Sequence, residues 1–235
     1  EGYPVTVFEA FHELGGVLRY GIPEFRLPNE LIDDVVKKIT QMGGKFVTNF
    51  IVGKTATLEA LKRAGFWKVF VGTGAGLPRF MNVPGEHMNG IMSANEFLTR
   101  VNLMGANRSD AETPVLVGKR VAVIGGGNTA LDAVRTALRA GAETATVYYR
   151  RTEDEMPARN EEIRHAREEG VHFEFLLNPV GFEGSDRVEK MRLVRMRQTE
   201  PGEDGRQNEP GGAHIVLLIA ERVASARERE SSLIS

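Results

Sequence analysis

Short apolar runs alternate along the chain with stretches in which apolar residues recur every three or four positions. The first pattern is typical of buried strands and the second of amphipathic helices. Repeated strand and helix units of this kind favour an α/β fold with parallel sheets. The predicted strands cover residues 5–8, 45–52, 68–71, 121–124, 144–149, 171–177 and 188–198. The predicted helices cover residues 29–42, 57–61 (beginning at either 55 or 57), 93–104, 130–138 and 160–169.

The helix at residues 29–42 has the clearest apolar face, which we expect to pack in the core. That face is made by Leu31, Ile32, Val35, Val36, Ile39 and Met42. The segment before it, residues 13–28, holds three glycines and two prolines together with several large apolar side chains. We expect this segment to be irregular and to pack over a cofactor or a neighbouring domain.

The strand at residues 121–124 runs directly into three glycines and then into a helix. Gly125, Gly127 and Ala130 fit the Gly-x-Gly-x-x-Ala turn of dinucleotide-binding domains. In such a turn the first glycine permits the sharp bend, the second lets a pyrophosphate approach the backbone, and the alanine keeps the helix close to the strand. The helix N-terminus then offers N–H groups to the phosphates. The alternative is a plain turn that binds nothing.

The next strand ends at Tyr149 and is followed by Arg150 and Arg151. An acid at this position would bond a ribose 2′-hydroxyl, whereas arginines pair with a 2′-phosphate. The two arginines therefore predict NADP(H) rather than NAD(H) as the ligand. The alternative is a pair of solvated arginines at a strand end.

A second set of nucleotide signals lies near the start of the chain. Glu9 closes the strand at residues 5–8, where the acid that binds a ribose diol is normally found about 20 residues after a glycine turn. We expect that turn to precede residue 1. Another glycine cluster, residues 72–76, follows the predicted strand at 68–71 and suggests a close approach of backbone to a ligand. A solvated Glu9 and an ordinary turn at 72–76 are the alternatives.

The polar stretch at residues 106–114 breaks the helical pattern and predicts a linker. We therefore expect a first nucleotide-binding domain at 1–114, a second at 115–206 and a tail at 207–235. The tail contains one apolar run, residues 215–220, and suggests no function.

Composition narrows the possible functions. The formal net charge of −2 gives no electrostatic reason to expect nucleic acid or an anionic membrane as a partner, and no apolar run is long enough to span a bilayer. With no cysteine, the 235 residues can hold no disulfide and no iron–sulfur cluster of their own. The five histidines do not cluster, and we predict neither a catalytic side chain nor a metal site, including at the acids 153, 154, 155 and 161. A cytoplasmic location fits this composition.

Five motifs in order resemble the FAD- and NADPH-binding small (beta) subunit of glutamate synthase over residues 1–206. Similar modules occur in the large subunit of electron-bifurcating NADH-dependent ferredoxin:NADP oxidoreductase and in dihydropyrimidine dehydrogenase. The motifs lie at residues 15–28, 72–78, 93–98, 125–132 and 149–157. The resemblance implies two Rossmann-like domains with parallel sheets, a partial FAD domain and an inserted NADP domain.

The resemblance also implies roles for individual residues. On the FAD side it implies ribose binding by Glu9, contacts along FAD by Gly16, Leu18 and Arg26, adenine contact by Val52, and flavin nucleotide contact by Thr73 and Gly74. On the NADPH side it implies pyrophosphate binding by Gly127, Asn128 and Thr129, and 2′-phosphate binding by Arg150 and Arg151.

The function implied is hydride transfer from NADPH to FAD, which feeds electrons to iron–sulfur clusters in a preceding region or in a partner. The partner would be the glutamate synthase large subunit or another iron–sulfur or flavin electron-transfer subunit. The alternatives are an electron-bifurcating ferredoxin:NADP oxidoreductase and a non-catalytic NADP-binding fragment. The chain departs from the family in lacking the first FAD glycine turn, the cysteine-rich domain and the C-terminal return into the FAD domain. We therefore expect weak or no retention of FAD, with NADPH binding preserved.

Overall fold

The structure is a computed structural model that describes residues 2–197 and the backbone of a strand at 215–219. The chain divides into two compact units. The first comprises Glu1–Gly76 with Asn102–Met104, and the second comprises Leu77–Val101 with Gly105–Ser235. These units are groupings by compactness, so the nucleotide-binding domains at 1–114 and 115–206 stay a prediction. The end of the predicted strand at Gln198 and the predicted tail, apart from residues 215–219, lie outside the described residues.

The first unit is built on a parallel pair of short strands, β1 (Thr6–Phe8) and β2 (Lys45–Val47), in which Val7 is opposite Phe46. Between them lie α1 (Val17–Tyr20) and α2 (Asn29–Gln41), and α3 (Leu58–Arg63) follows. The strand predicted at 45–52 therefore ends early. Asn49 explains this, because its φ of 56° is incompatible with an extended strand.

The apolar face predicted for α2 is only partly packed. Ile32 is buried and Val36 and Ile39 are half-buried, as predicted. Leu31, Val35 and Met42 are exposed instead, and form a second row along the same helix. Both rows fit a spacing of three to four residues, so the sequence pattern alone does not separate them.

The strand predicted at residues 68–71 is wrong. This segment has no regular secondary structure, and Phe70 is 95% exposed. A strand is stabilised by hydrogen bonds to a neighbour, and among the described residues the segment pairs with none. Residues 69–71 are apolar, but apolar residues alone do not provide a neighbouring strand for the backbone hydrogen bonds.

The second unit contains the larger sheet. Its elements are β3 (Ile91–Ser93), α4 (Ala94–Asn102), β4 (Arg120–Ile124), α5 (Asn128–Arg139), β5 (Thr144–Tyr149), α6 (Asn160–Glu168), β6 (His172–Phe175), β7 (Leu177–Gly184), β8 (Val188–Arg195) and β9 (Ile215–Ile219). The sheet order is β3-β9-β4-β5-β6, with β4, β5 and β6 parallel and β9 antiparallel to both of its neighbours. Strands β7 and β8 form a separate antiparallel hairpin. The predicted tail thus contributes an interior strand, between β3 and β4.

Helix α5 lies at the centre of the main core. Leu131 and Val134 on the helix, and Val123 and Val147 on the strands beneath it, are fully buried in one apolar cluster. Ala130 is also fully buried and, like other alanines on this helix, is small enough to let the helix approach the sheet closely. The core therefore fixes the start of α5, which directly follows the glycine turn.

Candidate nucleotide-binding site

The glycine turn joins the buried strand β4 to α5. Gly125 has a φ of 131°, a conformation that only glycine adopts readily, and its N–H donates to the carbonyl oxygen of Tyr148 at 3.0 Å. The chain thus leaves the sheet in a sharp bend that is tied to the next strand. This is the role that the sequence assigned to the first glycine.

Gly126 is required for a different reason, which the sequence motif did not reveal. A Cβ built on Gly126 would lie 2.7 Å from Cε2 of the Tyr149 ring. Contacts this short are sterically excluded, so any larger residue must displace the ring. Glycine at position 126 therefore leaves the space that the Tyr149 ring occupies at the end of β5.

The residues expected to meet the pyrophosphate lie at the N-terminus of α5. Gly127 is the N-cap, and it, Asn128 and Thr129 are half-buried. Glycine has no side chain to cap the helix, and the first helical turn carries no acid. The first N–H groups of an α-helix have no intrahelical partner and carry a partial positive charge. This end of α5 can therefore accept an anion from outside the chain.

Gly127 has φ −90° and ψ 170°, which any residue can adopt. Backbone conformation does not explain glycine at this position. A ligand that needs the space of a side chain would explain it, as the dinucleotide-binding motif requires.

Residues 152–159, which we call the strap, fold back against this turn. The strap begins with a capping box. The Thr152 side chain accepts the Glu155 backbone N–H, and the Glu155 side chain accepts the Thr152 backbone N–H. The Tyr149 hydroxyl donates to the carbonyl oxygen of Glu155 at 2.9 Å. At the far end, the Ala158 N–H donates to the carbonyl oxygen of Gly126 at 3.1 Å, and the Arg159 N–H donates to Asn128 Oδ1 at 3.1 Å.

Sequence reasoning missed the contact between the strap and the turn. In the motif at residues 149–157, the sequence predicts a role only for the two arginines. The one available signal was a proline at 157 beside an acidic run, which predicts a bend and no partner. Two of the three acids of the strap are engaged with protein groups: Glu153 pairs with Arg167 at 2.5 Å, and Glu155 serves the capping box.

Arg150 and Arg151 directly follow β5 and are half-buried. Because β5 is parallel to β4, with Tyr148 opposite Ile124, both strands end at the same edge of the sheet. The arginines and the glycine turn are therefore neighbours at the carboxyl edge, where ligands of open α/β sheets bind. The residues predicted for NADP(H) therefore follow two adjacent strands at the same edge of the sheet.

An ionic network fixes α5 against α6 behind the turn. Arg135 is buried and donates to Glu162 at 2.7 Å and to Glu169 at 2.7 and 3.1 Å. Arg139 also donates to Glu169, at 2.6 and 2.9 Å. The hydrogen bond from Arg139 lowers the pKa of Glu169 to about 2; burial opposes this shift, and Arg135 adds to it. These contacts hold the helix that carries the phosphate-binding N–H groups.

The predicted FAD residues lie in the first unit. Glu9 follows β1, as expected, and its carboxylate accepts the Phe11 N–H at 3.0 Å. Gly16 caps α1 with φ 54° and ψ −136°, and a Cβ there would meet no atom within 4 Å, so its backbone conformation is what requires glycine. Leu18 and Val52 are exposed apolar side chains.

The other three predicted FAD residues are less closely defined by the fold. Arg26 is half-buried, and its backbone N–H donates to the carbonyl oxygen of Pro23 at 2.9 Å. Thr73 and Gly74 are exposed and lie in a segment without regular secondary structure. The roles of all seven residues toward FAD stay predictions.

Two further properties concern the part of the chain that the structure describes. No helix there is long and apolar enough to cross a membrane. No group of three or more His, Asp or Glu residues there is arranged to hold a metal ion.

Solved structures share this fold. FprA from Mycobacterium tuberculosis in complex with NADPH superposes with a TM-score of 0.73 at 20% identity, over 95% of this chain and 63% of that chain. Thioredoxin reductase from Lactococcus lactis superposes with a TM-score of 0.53 at 17% identity, over 93% of this chain and 69% of that chain. The predicted α/β fold with parallel strand pairing is confirmed.

Closer relatives are found by sequence. The chain is 39% identical over 228 residues to the glutamate synthase (NADPH) small chain of Halomonas elongata, covering 95% of this chain and 48% of that protein. It is 38% identical to the Escherichia coli glutamate synthase (NADPH) small chain, covering 92% and 47%. It is 39% identical to NADPH-Fe(3+) oxidoreductase subunit beta of Geobacter sulfurreducens, covering 92% and 32%. The chain thus spans half or less of the length of these relatives.

The match to a family extends over most of the chain. Residues 2–204 fit the sequence profile of the pyridine nucleotide-disulphide oxidoreductases, and this range includes the glycine turn, the two arginines and Glu9. The resemblance to the glutamate synthase small subunit is confirmed by the relatives. The chain belongs to the pyridine nucleotide-disulphide oxidoreductase family.

Proposed function

We propose that the chain forms the nucleotide-binding part of an FAD-dependent NADPH oxidoreductase of the glutamate synthase small-subunit type. When bound, NADPH supplies a hydride, which FAD accepts and passes on as electrons to iron–sulfur clusters. The observation that carries this proposal is the start of α5. A buried strand and a glycine turn lead to a helix N-terminus without a side-chain cap or an acid in its first turn, and two arginines lie at the same sheet edge.

The residues of the second unit fit NADPH in their chemistry. Gly127, Asn128 and Thr129 would hold the pyrophosphate through backbone N–H groups, since these groups have no intrahelical partner. Arg150 and Arg151 would pair with the 2′-phosphate, a dianion that arginine binds in a bidentate manner. Gly125 and Ala130 would complete this nucleotide-binding turn, Gly125 through its sharp bend and Ala130 by keeping the helix close to the strand.

The residues of the first unit would hold FAD. Glu9 would accept hydrogen bonds from the adenosine ribose, because its carboxylate ends a strand at the position where this family of folds binds a diol. Gly16, Leu18, Arg26 and Val52 would lie along the cofactor, and Thr73 and Gly74 would meet the flavin nucleotide. Hydride transfer between two cofactors needs no acid or base from the protein, so the proposal assigns no catalytic side chain.

The electron acceptor is proposed to be a partner subunit that carries iron–sulfur clusters or flavin, such as the large subunit of glutamate synthase. The names of the relatives support a multi-subunit enzyme, since they include small chains and beta subunits. They also include subunit beta of the NADP(+)-dependent formate dehydrogenase of Moorella thermoacetica, at 39% identity. Ferredoxin is the second candidate acceptor, because the five motifs also resemble the bifurcating ferredoxin:NADP oxidoreductases. The proposed location is the cytoplasm.

The proposal is tested on the full-length protein that contains this chain. The FAD-loaded protein is mixed with NADPH under anaerobic conditions in a stopped-flow spectrometer. We expect the flavin absorbance to bleach, and to bleach much more slowly with NADH because NADH lacks the 2′-phosphate. A flavin that stays oxidised in the presence of saturating NADPH would refute the proposal. Reoxidation by added ferredoxin, compared with reoxidation by the glutamate synthase large subunit, distinguishes the two acceptors.

A further inference from the structure

The strap is the part of the second unit that the proposed function leaves without a role. It begins immediately after Arg151 and ends on the glycine turn, so it connects the two places where phosphate groups are expected. Met156 and Ala158 are buried in the main core, and Pro157 restricts the backbone between them. The strap is therefore anchored along its length.

We propose that the strap positions the glycine turn for pyrophosphate binding, with the hydrogen bond from the Arg159 N–H to Asn128 Oδ1 as its key contact. This inference rests on the proposed function, since it takes the dinucleotide pyrophosphate as the ligand of the turn. It assigns Arg159, through its backbone, and Tyr149 as positioning residues. Neither residue contacts the ligand in this proposal.

The chemistry of the Asn128 side chain supports the assignment. An amide has an acceptor end and a donor end, and only the oxygen can accept the Arg159 N–H. This bond therefore orients the amide and leaves Nδ2, the donor end, for another partner. A phosphate oxygen accepts hydrogen bonds and donates none, so Nδ2 is the end that suits a pyrophosphate. The strap sets the side chain in the orientation that phosphate binding needs.

The strap also holds the backbone of the turn. The Ala158 N–H bonds the Gly126 carbonyl oxygen, while the Tyr149 ring occupies the space beside Gly126 and its hydroxyl bonds the strap at Glu155. The Gly126 peptide is thus held from two sides. Because coupling between two sites is reciprocal, a pyrophosphate bound at the turn must in turn stabilise the strap.

The first experiment deletes the key donor and compares two substitutions at one position. Arg159 has a φ of −68°, the value that the proline ring imposes, so Arg159→Pro removes the N–H while Arg159→Ala removes the side chain and keeps the N–H. The full chain is titrated with NADPH and with adenosine 2′-monophosphate, which carries a 2′-phosphate and no pyrophosphate. We expect Arg159→Pro to bind NADPH about five- to tenfold more weakly than Arg159→Ala, the effect of one hydrogen bond. Affinity for adenosine 2′-monophosphate should be equal in the two variants.

Equal NADPH affinity in the two variants would overturn the proposal. So would an equal loss for both ligands, because general damage to the unit would weaken both. If the wild-type chain binds adenosine 2′-monophosphate but not NADPH, the proposed function fails first, and the role of the strap falls with it.

A second measurement needs no proline. Residue-resolved hydrogen exchange reports the protection of the Arg159 amide directly. We expect Asn128→Ala to speed this exchange by about five- to tenfold and Asn128→Asp, which keeps an acceptor oxygen, to preserve the protection. NADPH should slow exchange at Ala158 and Arg159 in the wild type, and adenosine 2′-monophosphate should not. Exchange at Arg159 that is the same in Asn128→Ala and in the wild type, or unchanged by saturating NADPH, would contradict the positioning role.

Discussion

The ring of Tyr149 occupies the space that a Cβ on Gly126 would need, at a distance of 2.7 Å. This relationship separates the three glycines of the turn by cause. Gly125 is required by its backbone conformation, with φ 131°, and Gly126 by the tyrosine ring. Gly127 has an ordinary conformation, which does not require glycine, and the proposed pyrophosphate would require it. The motif thus combines two requirements of folding with one proposed requirement of binding.

The separate causes predict opposite outcomes for two alanine substitutions in adjacent residues. Gly126→Ala should lower the free energy of unfolding by about 1–3 kcal/mol, because the new methyl group collides with the Tyr149 ring. Gly127→Ala should lower it by less than about 1 kcal/mol, the difference between glycine and alanine at a helix N-cap. The Gly127→Ala variant should nevertheless lose at least about tenfold in NADPH affinity, since its methyl group fills space needed by the pyrophosphate.

Urea unfolding and calorimetric titration of both variants check this prediction. Each variant serves as the control for the other, because both add one methyl group to the same turn. A Gly127→Ala variant that binds NADPH as the wild type does would remove the ligand from the explanation of that glycine.

The ionic network behind the turn predicts a loss of stability in acid. The folded-state pKa of Glu169 is lowered from its ordinary 4.5 to about 2, so its stabilising contribution is present above pH 4.5 and is lost as the pH falls toward 2. Glu169→Gln should lower the free energy of unfolding at pH 7 by about 1–3 kcal/mol, because Arg135 loses a charged partner while buried. The difference from the wild type should shrink between pH 4.5 and 2.

The neighbouring substitution Glu168→Gln is the matched control for Glu169. Its carboxylate is exposed and pairs with Arg164 only at 3.7 Å, so its loss should change stability by less than about 0.5 kcal/mol. Unfolding curves measured from pH 2 to pH 7 test both variants. Equal effects at the two positions would show that the network does not stabilise the contact between α5 and α6.

Tyr148 predicts a loss of stability at alkaline pH. Burial raises its pKa from 10 to about 12, and the charge of Glu174 adds to the shift. The neutral phenol is therefore favoured in the folded state, and its contribution is full below pH 10 and is lost as the pH rises toward 12. The wild type should lose on the order of 2 kcal/mol more than Tyr148→Phe across this range. Tyr3→Phe, at an exposed position, should follow the wild-type curve.

The site was predictable where its signal was local. The buried strand at 121–124, the glycine turn and the helix after it are adjacent in sequence, and their residue types are dictated by the local backbone. Arg150 and Arg151 were predictable because they follow the next strand of a parallel sheet. Parallel strands place their carboxyl ends together, so the sequence order alone brings the arginines to the turn.

What could not be predicted depends on contacts between distant residues. The reason for Gly126 lies 23 positions away at Tyr149, and the acceptor for the Arg159 N–H lies 31 positions away at Asn128. Leu31 fits the helical pattern as well as Ile32 does, yet one is exposed and the other buried. Strand β8 was predicted, but β7 and its pairing with β8 were missed, because Leu176, with φ 56°, interrupts a segment that the sequence predicts as one strand, 171–177. Hydrophobic periodicity indicates whether a segment is a helix or a strand, but it does not indicate which elements pack against that segment.

The central claim is that this chain binds NADPH with its pyrophosphate at the start of α5 and its 2′-phosphate at Arg150 and Arg151. The most direct test is calorimetric titration with NADPH and with NADH of the wild type and of the Arg150→Ala/Arg151→Ala double variant. We predict that the wild type prefers NADPH and that the double variant loses about a hundredfold in NADPH affinity, on the order of 3 kcal/mol, with little change for NADH. Equal losses for the two nucleotides, or a wild type without preference between them, would contradict the claim.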